Sequence, residues 1–221
     1  MNQKRAAIFD VDGLLVDSEP LWNKATSDIL NEYNVVLSAD QLATATGFRT
    51  KELVTLWFNS YSIPPVYVDE ATAKILERTK QYMSQHLVTM NGVSYIFQFF
   101  KEKNYLIGLA SSSPMGLIEV AIRCCGISDK INTCQSAHDL EFAKPHPEVY
   151  INAAKALSVH PAHCICFEDS FSGMIAAKAA GMKCVVVPHH RVAKKEHWAA
   201  ADLKISSLKN FGQLHLNFLE R

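Results

Sequence analysis

The chain has 221 residues, of which 48% are hydrophobic, and its 22 basic side chains balance its 22 acidic ones. This balance gives no net field that would draw the chain to nucleic acid or to an acidic membrane surface. The length suits one folded core with a sizeable insertion. The sequence shows neither a signal-peptide core nor a run long enough to span a membrane, so we expect a cytoplasmic protein.

Four short apolar runs rich in β-branched residues predict buried parallel strands. In chain order they are "AAIFD", "LIGLAS", "CICFED" and "KCVVVP". Amphipathic segments follow or separate them, namely "VSYIFQFFKEKN", "PMGLIEVAIRCCG", "HPEVYINAAKALS" and "SGMIAAKAAG". Strands that alternate with helices predict the α/β class, with a doubly wound, Rossmann-like parallel sheet.

The region between the first two predicted strands has a different pattern. It contains no convincing strand and predicts several helices, in "LWNKATSDILNEY", "SADQLATAT", "TKELVTLWF" and "ATAKILERTKQYMSQHL". We therefore expect two domains. Residues 1–16 and 89–221 form the α/β core, and residues 17–88 form a small helical cap domain inserted after the first strand.

Two pairs of acids follow two of the predicted strands. Asp10 and Asp12 come after the first strand, and Glu168 and Asp169 come after "CICF". The carboxyl ends of parallel strands open on one edge of a sheet, so these acids are expected to meet there. Carboxylates brought together repel each other unless a cation is present, and oxygen ligands of this kind suit Mg²⁺. Any one of the acids taken singly is better explained as a helix cap or a solvated loop residue, but two acidic pairs that end two apolar strands weaken that explanation.

Ser111 and Lys144 supply two further chemical groups. Ser111 opens "SSSP" after a strand, where a hydroxyl and a helix start form an anion site, or where it is simply a cap. Ser112 or Ser113 is well suited to cap the next helix. Lys144 lies in "AKPHPEVY", where prolines restrict the backbone. A solvated surface lysine is the usual explanation, but it is weakened here because a site crowded with carboxylate and phosphate groups needs a cation.

Four motifs in order, "FDVDGLLVDSEP", "LASSSP", "AKPHPEVY" and "FEDSFSGMIAAKAAGM", resemble those of the haloacid dehalogenase superfamily. The resemblance covers most of the chain. It is closest to the sugar-phosphatase and β-phosphoglucomutase-like branch, which carries a helical cap after the first motif, and within it to the bacterial hexitol phosphatase (2-deoxyglucose-6-phosphate phosphatase) type. Leu14 is a mild departure, because the family often has Thr or Val there.

The resemblance implies a role for each acid. Asp10 would be the nucleophile that forms an aspartyl phosphate. Asp12 would protonate the leaving alcohol and then take a proton from the attacking water, and its backbone carbonyl would reach the metal. Asp169, with Glu168 beside it, would complete the Mg²⁺ shell.

The resemblance also implies how the transferred phosphoryl group is held. Its oxygens would contact Ser111, Ser112 and Lys144, and Gly13 would let the loop backbone approach closely.

In the resembling family the cap closes over the site and selects the leaving group. Glu19 and Arg49 are the candidates for substrate contact. A helix-start acid explains Glu19 equally well, and a surface salt bridge is the alternative for Arg49. Trp22 is more typical of a core residue. It stands where the mutase branch has a histidine that favours sugar over water as acceptor, so its presence favours hydrolysis.

The expected function is a Mg²⁺-dependent phosphatase for small phosphorylated sugars or sugar alcohols. Alternatives on the same scaffold are a β-phosphoglucomutase-like mutase and a phosphoglycolate phosphatase. A binding module that has kept the fold without catalysis is a different class, which the complete set of catalytic residue types disfavours. The expected partner is a small phosphorylated sugar rather than nucleic acid or membrane, and we expect a monomer.

Overall fold

A parallel β-sheet forms the centre of the computed structural model, which describes residues 4–43 and 49–221. Its strands are β1 (Ala6–Phe9), β2 (Leu106–Ser111), β3 (Thr133–Ser136), β4 (Cys164–Glu168), β5 (Lys183–Val186) and β6 (Leu203–Lys204). The spatial order is β3-β2-β1-β4-β5-β6, and every pairing is parallel. The predicted α/β class with a doubly wound sheet is confirmed.

The described α-helices fall into two groups along the chain. Between β1 and β2 lie α1 (Glu19–Glu32), α2 (Ala39–Ala43), α3 (Thr50–Ser60), α4 (Val68–His86) and α5 (Val93–Glu102). After β2 come α6 (Met115–Cys125), α7 (Glu148–Ala156), α8 (Phe171–Ala179) and α9 (Gln213–Leu219). Within residues 4–43 and 49–221, none of the helices combines the length and the apolar character that crossing a bilayer requires.

Alternating side chains of β1 fill the cores on the two faces of the sheet. Ala7 and Phe9 pack on one face with apolar residues of α5, α6 and α9, whereas Ala6 and Ile8 pack on the other with α7 and α8. Because successive strand side chains point to opposite faces, a short apolar strand supplies both cores. The ring of Phe9 stacks on Phe97 and Phe167 with centroid distances of 4.8 Å each.

Two strands of the sheet have no counterpart among the predicted strands. The sequence of β3 is "TCQS", and each of its residues is only half-buried; β6 has just two residues. Both lie at the edges of the sheet, where one side of a strand is not covered by a neighbour. An edge strand therefore lacks the continuous apolar run that identifies a central parallel strand.

The helices α1, α3 and α4 surround a hydrophobic cluster of their own. It is built from Ile29, Leu30, Val35, Val54, Phe58, Val68, Ala71 and Ile75. Two crossing segments join this helical unit to the sheet, with the Asp17 amide donating to Val88 O at 2.8 Å and the Met90 amide to Leu15 O at 2.8 Å. The division at residues 17 and 88 stays a prediction. Residues 44–46, where the second predicted cap helix ends, lie outside the described ranges.

The sheet topology brings three strand ends together at one edge. β1 lies between β2 and β4, and the amide of Asp10 donates to Phe167 O at 3.0 Å. The chain thus leaves β1, β2 and β4 at neighbouring points, where the connections diverge to opposite faces of the sheet. Such a switch point is the usual place for a ligand in an open α/β sheet.

Candidate active site

Lys144 connects Asp10, which follows β1, with Glu168, the last residue of β4. Its ammonium group donates to Asp10 Oδ1 at 2.6 Å, to Glu168 Oε1 at 2.7 Å and to Ala110 O at 3.0 Å. The lysine is 4% exposed and Asp10 is 6% exposed. Burial alone would lower the pKa of Lys144, but the two carboxylates outweigh burial and raise it. Lys144 is therefore a permanent cation at this sheet edge.

Glu168 is the most completely bonded of the four acids. Besides Lys144, its first oxygen accepts a hydrogen bond from the Tyr150 hydroxyl. Its second oxygen accepts from the amides of Asp169 and Ser170 at 3.2 and 3.1 Å and from Ser170 Oγ at 2.9 Å. Five donors therefore fix a carboxylate that is fully buried, as the desolvation of a charge requires.

Asp10, Glu168 and Asp169 form a group that suits a metal ion. One carboxylate oxygen from each lies within 4.8 Å of the others. Burial raises the pKa of Asp10 to about 8; Lys144 opposes the rise, and Glu168 and Asp12 add to it. Burial, together with Asp10 and Glu168, also holds the pKa of Asp169 well above its usual range. The clustered carboxylates repel one another, and a divalent cation held by their oxygen atoms would supply the positive charge that offsets this repulsion.

Two glycines allow the acids to pack this closely. Gly13 has φ +79°, and a Cβ there would collide with the carboxylate of Asp169. A Cβ on Gly173, in the first turn of α8, would collide with the carboxylate of Glu168. The predicted close approach at Gly13 is therefore to an acid of the site itself, and its contact with phosphate stays a prediction.

Asp12 points toward the helical unit and is held by hydroxyl and indole donors. Ser18 Oγ donates to its Oδ1 at 2.7 Å and Trp22 Nε1 at 3.1 Å. On its Oδ2 side, Ser113 Oγ donates at 2.7 Å and Ser111 Oγ at 3.3 Å. The two acids of the first motif thus have different surroundings: Asp10 faces Lys144, and Asp12 faces neutral donors from both the sheet and α1.

A cavity lies between this sheet edge and the helical unit. The sheet side contributes the sequence-predicted residues Asp10, Asp12, Gly13, Ser111, Ser112, Lys144 and Asp169. The helical side contributes the predicted Glu19 and also Trp22, Asn23, Thr26, Leu42, Thr50 and Leu53. Among the described residues that line this cavity, Lys144 is the sole basic side chain. Glu168 lies just behind the wall, through its bond to Lys144.

Arg49 does not line this cavity in the described part of the chain. Its guanidinium forms a salt bridge with Glu52 at 2.6 Å, which matches the alternative raised from the sequence. It also donates to Leu140 O at 2.6 Å and Glu141 O at 3.3 Å, on the sheet side of the molecule. Contact between Arg49 and substrate stays a prediction that this geometry does not favour.

Several contributors to the site were not identified from the sequence. Ser113 was expected as a helix cap, but its hydroxyl donates to Asp12. Trp22 was expected in the core and does pack against two hydrophobic clusters, but its indole N–H also reaches the same carboxylate. Ser18 and Trp22 are four residues apart at the start of a helix and so share a face, which is the one local signal available. Tyr150 carried no such signal, because its partner Glu168 is distant in the chain.

The chain is similar to known proteins over most of its length. Residues 7–187 match the family model described as haloacid dehalogenase-like hydrolase. Hexitol phosphatase B of Escherichia coli K12 is 36% identical over 204 residues, which cover 92% of each chain. A phosphorylated carbohydrates phosphatase of Thermotoga maritima is 28% identical over 178 residues, covering 80% of this chain and 82% of the relative.

Solved structures share the fold along almost the whole chain. CbbY from Rhodobacter sphaeroides, in complex with phosphate, superposes with a TM-score of 0.86 at 23% identity, covering 99% of this chain and 100% of that one. β-Phosphoglucomutase from Clostridium difficile gives 0.85 at 23% identity, covering 98% and 97%. The expected enzyme class, a phosphoric monoester hydrolase, is confirmed by relatives that are themselves phosphatases. The chain belongs to the haloacid dehalogenase-like hydrolase family.

Proposed function

We propose that the chain is a Mg²⁺-dependent phosphatase that hydrolyses phosphate monoesters of small sugars or sugar alcohols through an aspartyl-phosphate intermediate. The observation that carries this proposal is the meeting of Asp10, Asp169 and Lys144 at the sheet edge, beneath a cavity wall of mostly neutral side chains. The names of the Escherichia coli and Thermotoga maritima relatives support the substrate class.

Asp10 is the proposed nucleophile. Its carboxylate oxygen attacks phosphorus, and the bond from phosphorus to the sugar oxygen breaks in the same displacement. Lys144, 2.6 Å from Asp10, fixes the attacking group and offers its charge to the phosphoryl oxygens. We expect Ser111 and Ser112, at the end of β2, to donate hydrogen bonds to those oxygens; their place in the cavity lining supports this role.

Asp12 is the proposed general acid and then base. In the first step its carboxyl proton moves to the departing sugar oxygen. In the second step Asp12 takes a proton from the water that attacks the aspartyl phosphate, which releases inorganic phosphate and restores the Asp10 carboxylate. The donors from Ser18, Trp22 and Ser113 hold this carboxyl toward the cavity.

The acids of the site suit Mg²⁺ because their available donor atoms are hard oxygens. Asp10 and Asp169, with the backbone carbonyl of Asp12, would hold the ion, which would supply positive charge to the transferred phosphoryl group. Five donors already occupy the oxygens of Glu168, so its proposed main task is to hold Lys144 in place. A place for Glu168 in the metal shell stays a prediction.

The lining of the cavity argues against the rival substrates. A bisphosphate, as a mutase requires, or phosphoglycolate would bring a second anionic group to the helical side. The described lining there offers indole, amide, hydroxyl and apolar groups, plus the acid Glu19. Residues 44–48 contain no basic residue in the sequence. An uncompensated second anion in a partly buried cavity is unfavourable, so we favour an uncharged sugar or polyol as leaving group.

Free phosphate measured over a panel of sugar and sugar-alcohol phosphates, with Mg²⁺ and with chelator, tests the proposal. We expect Mg²⁺-dependent release from neutral monophosphates and little from phosphoglycolate. Hexose 1-phosphate with and without a bisphosphate primer separates the mutase, which would yield an isomer instead of free phosphate. Release that persists in chelator would refute the metal requirement, and no release from any ester would refute the phosphatase.

A further inference from the structure

Arg49 links the helical unit to the sheet-side loop. It stands directly before α3, and its side chain is 19% exposed. Its Nε and one terminal nitrogen donate to Glu52 Oε1 at 2.9 and 2.6 Å, which fixes the plane of the guanidinium. The outer edge of that plane then donates to the carbonyls of Leu140 and Glu141 at 2.6 and 3.3 Å.

Those two carbonyls belong to the loop that carries Lys144. This loop, residues 137–147, connects β3 to α7. Its start is held by the Ala137 amide, which donates to Ser111 O at 2.7 Å, and its later part by the bonds of the Lys144 ammonium. Arg49 contacts the segment between these two anchors. The position of the loop, and of Lys144 within it, therefore depends in part on where the helical unit lies.

The chemistry of arginine suits this contact. Carbonyls in a loop outside regular structure need donors, and a planar guanidinium with five N–H groups serves one carboxylate and two carbonyls at once. Hydrogen bonds from a charged donor are about twice as strong as neutral ones. A lysine offers a compact point charge and cannot reproduce this planar set of bonds.

We propose, on the basis of the function proposed above, that Arg49 is a positioning residue that clasps the helical unit to the loop of Lys144. By closing this contact it sets the lysine, and through it Asp10, in the geometry for phosphoryl transfer. It does so for every substrate alike, because its guanidinium is occupied by protein groups and Arg49 is not among the described residues that line the cavity.

Two substrates of different size separate this role from direct substrate binding. In Arg49→Gln and Arg49→Lys we expect kcat to fall by the same factor, about 10-fold to 100-fold, with sorbitol 6-phosphate and with acetyl phosphate. Acetyl phosphate has too small a leaving group to extend across the cavity. A rise in KM confined to sorbitol 6-phosphate, with acetyl phosphate turnover unchanged, would overturn the proposal and return Arg49 to the substrate site.

Neighbouring residues of α3 provide matched variants. Glu52→Gln weakens the partner that orients Arg49, so we expect a smaller fall in kcat, again equal for both substrates. Lys51 lies on α3 like Glu52, and Lys51→Gln removes an exposed ion pair with Asp69 of α4, so it is expected to leave kcat unchanged. Faster turnover of sorbitol 6-phosphate alone in Glu52→Gln would indicate that a freed Arg49 binds the sugar, which contradicts the clasp.

Hydrogen exchange tests the clasp without any turnover. In Arg49→Gln we expect the amides of residues 138–146 to exchange about 10-fold faster than in the unaltered protein, and in Lys51→Gln to exchange at the unaltered rate. Unchanged exchange in Arg49→Gln would refute the clasp even if kcat had fallen. Because this readout needs no substrate, it distinguishes failure of the clasp from failure of the proposed phosphatase function.

Discussion

The two walls of the cavity differ in the kind of group they present. The sheet wall carries charges that are buried and held by one another, as in the bonds between Lys144 and the two acids Asp10 and Glu168. The helical wall presents mostly neutral groups, such as the indole of Trp22 and the amide of Asn23. Charged groups held rigidly suit bond-making chemistry, and neutral polar groups suit recognition of hydroxyls.

This difference has a consequence for how substitutions act. A substitution in the sheet wall removes a charge that no remaining group can supply, so it is expected to slow the reaction itself. A change in the helical wall removes one hydrogen bond or one apolar contact to the leaving group, so it acts on selection. Substitutions in the two walls should therefore differ in whether they change kcat or KM.

The largest effect is expected at the proposed nucleophile. Asp10→Asn keeps the shape of the side chain but removes the attacking carboxylate, so phosphate release is expected to fall by about 10⁴-fold or more. The midpoint of thermal unfolding is expected to be unchanged or higher, since burial already raises the pKa of Asp10 and an uncharged side chain is tolerated there. Retained turnover in Asp10→Asn would exclude covalent catalysis by this residue.

Metal binding is expected to stabilise the sheet wall. Because the proposed Mg²⁺ site exists only in the folded chain, a concentration 100 times its dissociation constant is expected to raise the free energy of unfolding by about 2.7 kcal/mol. Differential scanning calorimetry with and without Mg²⁺ measures this shift. Asp169→Asn is expected to lose most of it. An equal shift in both proteins would place the ion elsewhere.

At the boundary of the two walls, Trp22→Phe removes the indole donor to Asp12 and is expected to lower kcat about 10-fold. Trp57→Phe is the matched control, because the Trp57 indole nitrogen is buried without a hydrogen-bond partner among the described residues. We expect no change in kcat for this control. Equal effects of the two substitutions would mean that Trp22 acts through packing rather than through Asp12.

On the helical wall, Asn23→Ala and Thr26→Val are each expected to raise KM for sorbitol 6-phosphate about 10-fold through the loss of one hydrogen bond. Turnover of acetyl phosphate is expected to be unchanged, since its leaving group has no sugar hydroxyls. Steady-state kinetics with the two esters provides the measurement. If both esters lost activity equally, the helical wall would take part in the chemistry, and the proposed difference between the two walls would be refuted.

The smallest effect concerns stability away from the site. Burial would raise the pKa of Asp202, but hydrogen bonds from Lys178 and from the Cys184 amide outweigh it and lower the pKa. A lowered folded-state pKa contributes stability above the unfolded value of about 3.9, and this stability is lost as the pH falls through the folded value. Asp202→Asn is therefore expected to cost about 1–2 kcal/mol at pH 7 and progressively less below pH ~3.9.

Urea unfolding at neutral and acidic pH measures this difference. The control is Lys74→Gln on the helical unit. It removes exposed ion pairs with Glu32 and Glu70 and is expected to leave the unfolding midpoint unchanged. A pH-independent loss in Asp202→Asn would show that the residue contributes through packing and not through its charge.

Much of the fold and the sheet wall could be predicted from the sequence because their signals are local. An apolar run followed at once by an acid marks a buried strand and its carboxyl end. Parallel strands share one edge, so the sequence alone predicts that Asp10 and Asp169 meet there. The edge strands β3 and β6 escaped prediction because a strand with one uncovered side needs no apolar run.

The sequence by itself determined which chemistry this protein carries: its acids, its lysine and the strand ends that hold them. Only the tertiary structure decided which groups serve those acids, such as Tyr150 behind Glu168 and Trp22 on Asp12, and that Arg49 contacts a loop of the sheet rather than the cavity. The physical reason is the separation along the chain of the residues that determine each feature. Strand ends are fixed by neighbours in the chain, whereas the direction of a donor depends on how two separately packed units lie against each other.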